Sequence, residues 1–183
     1  MKYNREKHQR RSIRLREYDY TQVGAYFVTI SAHSREPIFG EIVKGKMRLN
    51  EWGKVVAFCW DEIPIHFLNV ELDAFVIMPN HVHGIIVIAV DGRRGTACRA
   101  PTTEQFGKPV ANSFPTIIRS FKSATTKRIN EIHSNPGVPL WQRNYYERII
   151  RDEDELTQIR EYIAGNHFKW GEDEENPNKI SPI

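Results

Sequence analysis

Six short runs along the chain have the residue pattern of β-strands, and turn residues separate them. They are Ala25–Ser31, Ile38–Val43, Lys46–Leu49, Leu72–Ile77, Ile85–Val90 and Tyr145–Ile150. Lys44-Gly45 joins the second run to the third and is typical of a two-residue hairpin turn. Met78-Pro79-Asn80 forms the turn between the fourth and fifth runs, both of which are apolar enough to be buried.

Three segments between these runs show the three- and four-residue apolar spacing of amphipathic helices. Asn50 can cap the first helix, and Pro64 is expected to end it. The second helix runs from Pro115 to about His133. Asp152 can cap the third, with Glu155 at the capping-box position. Helices packed on one mostly antiparallel sheet make an α+β fold, and the ferredoxin-like arrangement is the simplest that fits.

Two histidines lie between the Met78-Pro79-Asn80 turn and the fifth run, where that strand is expected to start. His81 and His83 are two residues apart, so in a strand both imidazoles point to one face while Val82 points to the other. Two neutral imidazoles side by side provide most of a metal site. The alternative is that both are ordinary polar residues on a solvated sheet face.

The third helix carries a second pair of candidate residues. Tyr162 lies about a quarter-turn from the apolar stripe, and Asn166, four residues later, projects from the same flank. A tyrosine beside a metal or base could act as a nucleophile, and the Asn166 amide could supply an oxygen ligand. The alternative for Tyr162 is a half-buried aromatic residue at a helix edge, which is plausible in a chain with seven tyrosines.

Composition and length limit the class of protein. The chain has 183 residues, of which 40% are hydrophobic and 27% are charged. This length suits one domain, and this composition is typical of a globular chain. No apolar run is long enough to span a membrane, and the polar N-terminus lacks the apolar core of a secretory signal. Cys59 and Cys98 show no metal or redox spacing. These features predict a cytoplasmic protein.

Charge divides the chain into three parts: a basic arm over residues 1–19, one domain over 20–170, and an acidic flexible tail over 171–183. The segment 1–17 contains seven Lys or Arg and two Glu, which favours a polyanion partner as much as a solvated disordered start. A long basic loop over 91–113 contains Arg93, Arg94 and Arg99. The arm and this loop are candidate nucleic-acid contacts. Further candidates are Arg119, Lys122 and Trp141.

Four segments resemble those of a known family. Met78–Ile85 resembles the His-hydrophobic-His motif of single-tyrosine HUH transposases. The others are Gly24–Ile30, Phe121–Ser123 with Lys127–Asn130, and Leu140–Glu147. Together, over roughly residues 10–170, they resemble the REP-associated tyrosine transposases, a bacterial branch of that family. The four segments in the same order are a more specific signal than the histidine pair alone.

The resemblance implies an HUH endonuclease fold with a site on four residues. His81 and His83 would be metal ligands, Tyr162 the nucleophile and Asn166 the third ligand, with Mg²⁺ or Mn²⁺ as the ion. The implied reaction cleaves single-stranded DNA near palindromic repeat hairpins, leaving a 5′-phosphotyrosine and a free 3′-OH. A homodimer and a monomer are both open. Two alternatives are a non-catalytic hairpin-DNA-binding module of the same fold and a metal-dependent RNA-processing enzyme.

The chain departs from the family pattern at two positions. Arg148 stands where the family often has His, and His167 follows Asn166 where the family commonly has Pro. His167 could therefore compete as a metal ligand. Tyr145 and Tyr146 are rival nucleophiles, but they lie on the predicted strand and so rank below the helical tyrosine.

Overall fold

The computed structural model describes residues 18–90, 110–173, 175–177 and 179. The elements in chain order are β1 (Gly24–Ser31), β2 (Gly40–Val43), β3 (Lys46–Leu49), α1 (Glu51–Asp61), α2 (Ile63–His66), β4 (Val70–Ile77), β5 (His81–Ile88), α3 (Phe114–Ile132), β6 (Tyr146–Ile150), α4 (Glu153–Gly165) and a 3₁₀ helix (Asn166–Glu172). Most of the predicted basic arm and the loop cations Arg93, Arg94 and Arg99 lie outside the described residues.

Four strands form one antiparallel sheet in the order β4-β5-β1-β6, and β2 pairs with β3 in a separate hairpin. Numbered along the chain, the four sheet strands have the spatial order 2-3-1-4, with α1 and α3 as the two crossover helices. This is the β-α-β-β-α-β ferredoxin-like arrangement. The prediction of an α+β fold with a mostly antiparallel sheet is therefore confirmed.

The two faces of the sheet are covered by different helices, because alternate side chains of each strand point to opposite faces. Val82 and Ile86 of β5 belong to the large core beneath α1 and α3. Phe27 of β1 and Ile85 of β5 belong to a smaller core with Ile163 of α4. The odd-numbered residues at the start of β5, which include the two histidines, therefore face α4.

Gly84 allows α1 to approach this part of β5 closely. A Cβ at Gly84 would lie 2.4 Å from the Trp60 ring, a distance that real side chains do not tolerate. Trp60 in turn stacks on Phe75 of β4, with ring centroids 4.2 Å apart. The glycine after the histidine pair is thus required for packing on the face opposite the imidazoles.

The helices begin and end largely where the capping residues and proline predicted, with two differences. Asn50 accepts a hydrogen bond from the Gly53 amide at 2.9 Å, and Asp152 accepts one from the Glu155 amide at 2.8 Å, as predicted for N-caps. Glu155 accepts from the Arg151 amide rather than from Asp152, so the capping box is displaced by one residue. Pro64 does not simply end α1, because it lies in the first turn of the short helix α2.

None of the helices in the described part of the chain is both long enough and apolar enough to cross a lipid bilayer.

Candidate metal and tyrosine site

His81 and His83 are adjacent and buried at the start of β5. Their exposed fractions are 0% and 4%, so the alternative of a solvated sheet face is wrong. The two Nε2 atoms lie 2.9 Å apart. Two ligand atoms at right angles, each ~2.1 Å from one ion, are about 3 Å apart. The spacing of the imidazoles therefore fits two neighbouring positions around a single metal ion.

Hydrogen bonds hold His81 in the tautomer that leaves Nε2 available. Its Nδ1 lies 2.8 Å from Oδ1 of Asn80. The Asn80 amide nitrogen donates to the carbonyls of Arg35 and Glu175, both at 2.6 Å, so its oxygen is the atom facing the ring. An amide oxygen only accepts, and His81 must therefore donate from Nδ1. The lone pair of Nε2 is left for a ligand.

Thr29 plays the corresponding part for His83. Its hydroxyl lies 2.8 Å from Nδ1 of His83, and the two residues are partners in the β1–β5 ladder. A hydroxyl oxygen can accept from Nδ1–H, which again leaves Nε2 free. Such contacts from a neighbouring residue are typical of metal-binding histidines.

Both imidazoles are neutral at physiological pH. Burial lowers the pKa of His81 to about 4, and the nearby Asp173 carboxylate only partly opposes this. Burial also lowers the pKa of His83 well below its usual range, and the neighbouring His81 lowers it further. Neutral imidazole is the form that binds metals.

Tyr162 reaches the pair from α4. Its hydroxyl lies 3.3 Å from Nε2 of His83, and 45% of the residue is exposed. The ring packs edge-on against Phe27, which itself stacks on His83. The helix therefore places a solvent-accessible phenol directly beside the imidazoles.

Asn166 lies one turn further along, at the start of the 3₁₀ helix, and only 3% of it is exposed. Among the described residues its Oδ1 is buried with no hydrogen-bond partner. A buried acceptor left unpaired costs about 1–3 kcal/mol, so native proteins rarely keep one without a reason. An oxygen that binds a cation would account for it.

The structure adds Asp173, which the sequence did not predict as a site residue. Its Oδ2 lies 3.7 Å from Nε2 of His81. The ligand atoms of His81, His83 and Asp173 all lie within 4.8 Å of one another, so these three residues could hold a metal ion. No spacing motif marks Asp173, which belongs to a run of acidic residues that the sequence placed in a flexible tail.

The segment after α4 packs over the site. The Trp170 ring centroid lies 6.1 Å from that of His81. The Glu175 carbonyl accepts from Asn80, and the Glu175 carboxylate lies 3.6 Å from the Arg35 guanidinium. The sequence placed the end of the domain at 170, but these described residues beyond it contact the loops around the histidine strand.

The other candidates occupy different positions. His167 has its Nε2 3.3 Å from the Ile77 carbonyl, to which it can donate. Tyr146 lines the same cavity as Tyr162, whereas Tyr145 lines a separate groove. Arg148 pairs with Glu155 of α4 at 2.5 Å.

Trp141 is part of the core and is not available to stack on a base. Only 5% of it is exposed, and its indole N–H donates to Thr125 at 2.7 Å. Its packing against Phe39 and Phe121 explains the burial. Arg119, by contrast, is exposed, as predicted for a phosphate contact.

A cavity of about 520 Å³ joins these groups. Phe27, Tyr146 and Tyr162 provide aromatic walls, and Lys169 provides a cation. The phenol, the imidazole of His83 and the amide of Asn166 all open into this space. The arrangement could place a phosphodiester against a nucleophile and a metal ion at once.

Comparison with known proteins gives two relatives by sequence. An uncharacterised protein of Haemophilus influenzae is 43% identical over 175 residues, which cover 94% of this chain and 96% of that protein. A second protein of Haemophilus influenzae, described as a "putative REP-associated tyrosine transposase", is 25% identical over 153 residues, covering 84% of this chain and 75% of that protein. No protein-family model matches the sequence.

The fold is similar to that of a solved structure. That structure is a REP-associated tyrosine transposase bound to a REP hairpin, with a TM-score of 0.56 and 18% identity. The likeness covers 86% of this chain and 74% of that one.

Proposed function

We propose that the chain is a REP-associated tyrosine transposase, a metal-dependent nickase and strand transferase for single-stranded DNA, because it is similar in sequence to a protein described as one and shares the fold of another. The sequence similarity and the shared fold support a transposase. The finer assignment depends on one observation, which is that the Tyr162 hydroxyl lies 3.3 Å from the buried histidine pair.

Four residues are proposed to hold the metal ion: His81 and His83 through Nε2, Asn166 through Oδ1, and Asp173 through its carboxylate. The unpaired buried oxygen of Asn166 and the spacing of the two Nε2 atoms support this set. Mixed nitrogen and oxygen ligands with positions left open suit Mg²⁺ or Mn²⁺. When bound, such an ion neutralises charge on a phosphate oxygen and orients the scissile phosphate.

Tyr162 is the proposed nucleophile. Its oxygen forms a bond to the phosphorus while the bond from phosphorus to the 3′-oxygen breaks. The phenol loses its proton, and the departing 3′-oxygen takes one up. The product is a 5′-phosphotyrosine link and a free 3′-OH. Attack by a second 3′-OH reverses the step and joins the strands without a nucleotide cofactor.

The DNA partner is proposed to be a palindromic hairpin with a single-stranded flank. Support comes from the fold neighbour, which was solved bound to a REP hairpin. The exposed Tyr146 and Lys169 of the cavity suit a base and a phosphate respectively.

A cleavage assay tests the proposal. End-labelled hairpin DNA with a single-stranded flank is incubated with Mn²⁺ and run on a denaturing protein gel. The native chain should form a covalent adduct, Tyr162→Phe should not, and the matched control Tyr146→Phe should. Tyr162→Phe should still bind the hairpin, because only the nucleophilic oxygen is lost.

Three results would contradict the proposal. An adduct that survives in Tyr162→Phe would place the nucleophile elsewhere. Tight hairpin binding without any adduct would favour a non-catalytic binding module. Cleavage that requires a 2′-OH in the substrate would favour an RNA-processing enzyme.

A further inference from the structure

A basic groove lies between α3 and the segment that leads into β6. Its volume is about 610 Å³. Of the twelve described residues that line it, four are cations and none is Asp or Glu. The cations are Arg119, Lys122, Lys127 and Arg143. The described residues that line the cavity beside Tyr162, by contrast, include three carboxylates and one lysine.

Lys122 fixes the shape of this groove. Its ammonium donates to the carbonyls of Gln142 at 2.6 Å and Arg143 at 3.2 Å, which ties α3 to the opposite wall. Burial lowers its pKa to about 8, so the group is still largely charged at neutral pH. Arg119 and Arg143 are exposed on the rim. A fixed wall with two exposed guanidinium groups at its edge is suited to phosphodiesters.

The wall of the groove is joined to the sheet end that carries the histidines. Trp141 forms a bridge with Ala32, just after β1, and the Gln142 amide donates to the Ser31 carbonyl at 2.9 Å. Ser31 is in turn the register partner of His81.

Two adjacent tyrosines link the groove to the candidate site. Tyr145 lines the groove on the α3 face, whereas Tyr146 lines the cavity that contains Tyr162. Tyr145 immediately precedes β6 and Tyr146 begins it, and β6 is an edge strand of the main sheet. The two concave surfaces therefore meet at one exposed strand edge.

We propose that the groove binds the phosphodiester backbone of the single strand that continues from the cleavage point at Tyr162, passing round the edge of β6 at Tyr145 and Tyr146. The inference rests on the proposed function, since it takes the DNA to be the substrate of that tyrosine. A single strand suits this path because it turns sharply, whereas a duplex is stiff over about 150 base pairs. The exposed ring of Tyr146 at the turn provides a surface on which a base can stack.

Salt dependence tests the groove directly. The probe is a hairpin with a single-stranded extension long enough to reach the groove, and the comparison is the same hairpin without it. The test variant is Arg119→Gln with Arg143→Gln. The control, Lys46→Gln with Lys54→Gln, removes the same charge from exposed positions outside the groove. Binding is measured over a range of salt concentrations.

The groove variant should lose at least tenfold in affinity for the extended probe at low salt. Each single-strand phosphate contact adds about 0.7 to the slope of log K against log salt, so losing two should reduce that slope by about 1.4. The control should keep the native slope, and the hairpin without its extension should bind the native and groove variants equally.

Equal slopes for the groove and control variants would overturn the inference. An equal loss of affinity for the hairpin without its extension would also overturn it, because the groove would then bind the duplex stem. Tighter groove-dependent binding of the RNA counterpart would overturn it as well. Adduct formation is scored separately. If the slope depends on the groove but no adduct forms, the proposed reaction is contradicted and the groove remains a DNA-binding surface. If an adduct forms but the groove substitutions leave the slope unchanged, the proposed reaction is supported and the role of the groove is contradicted.

Discussion

The hydroxyl of Thr29 lies 2.8 Å from Nδ1 of His83, across the β1–β5 ladder. This contact orients one imidazole of the pair, and with the hydroxyl accepting from Nδ1–H the Nε2 lone pair is available to a ligand. Because the partner is a neighbouring strand residue, the sheet register itself sets the geometry of the candidate metal site.

Replacing Thr29 with Val should weaken metal binding. Loss of a partner that orients a ligating histidine typically costs about 10- to 100-fold in metal affinity, so Mn²⁺ affinity measured by calorimetry should fall within that range. Thr29→Ser keeps the hydroxyl and should bind Mn²⁺ almost as tightly as the native chain. A valine variant that binds Mn²⁺ with native affinity would show that Thr29 does not orient His83 for metal binding.

Asn166→Leu should separate stability from metal binding. Oδ1 of Asn166 is buried without a partner among the described residues, so an apolar side chain of similar size removes a desolvation cost. Thermal unfolding in EDTA should occur at an equal or higher temperature, while Mn²⁺ affinity should fall at least tenfold. A destabilised variant that binds Mn²⁺ normally would show that the amide has a structural role instead.

Asp173→Asn should lower the affinity for Mn²⁺ several-fold, because the oxygen that lies 3.7 Å from Nε2 of His81 loses its charge. Hard divalent cations bind carboxylate oxygens more strongly than neutral amide oxygens. Glu172→Gln removes the same charge one residue earlier and lines the same cavity, which makes it the matched control. Calorimetry should show a clear loss for the first variant only. Equal losses of affinity in the two variants would mean that the carboxylates attract the cation by their charge alone and that Asp173 does not coordinate it.

The metal-free protein should lose stability as the pH falls below about 6.5. Burial holds the pKa of His81 at about 4, so between these values the unfolded chain binds more protons than the folded one. For His81 alone this costs roughly 2 kcal/mol from about pH 7.5 to 5, and His83, whose pKa burial also lowers, adds to the loss. Urea unfolding in the presence of EDTA, repeated at several pH values, measures this change in the free energy of unfolding. The variant His66→Gln is the control, because His66 is exposed, and it should lose as much stability as the native chain. A free energy of unfolding that does not change with pH over this range would contradict the burial argument.

Local signals predicted much of the structure. The alternation around His81 and His83 fixed their common face, and Asn50 and Asp152 capped helices because their side chains reach amides three residues on. The four-residue spacing of Tyr162 in α4 and Asn166 directly after it put both residues on the side that lines the cavity. These relationships depend only on strand and helix geometry.

The remaining features depend on long-range packing, which spacing does not encode. Asp173 reaches His81 only because a 3₁₀ helix continues the chain beyond α4. Trp141 is buried because it meets Phe39 and Phe121, which are distant in sequence. The basic groove likewise depends on Lys122 bonding to carbonyls twenty and twenty-one residues away.

The most direct test of Tyr162 as the nucleophile is to map the residue that becomes linked to DNA. Trypsin cuts after Arg160 and Lys169, and the peptide between them contains Tyr162 as its only tyrosine. Tyr145 and Tyr146 fall together in the separate peptide 144–148. After reaction with Mn²⁺ and hairpin DNA, followed by nuclease and trypsin digestion, mass spectrometry should find a 5′-linked nucleotide on the 161–169 peptide. A nucleotide on the 144–148 peptide, or on no tyrosine, would contradict the central claim.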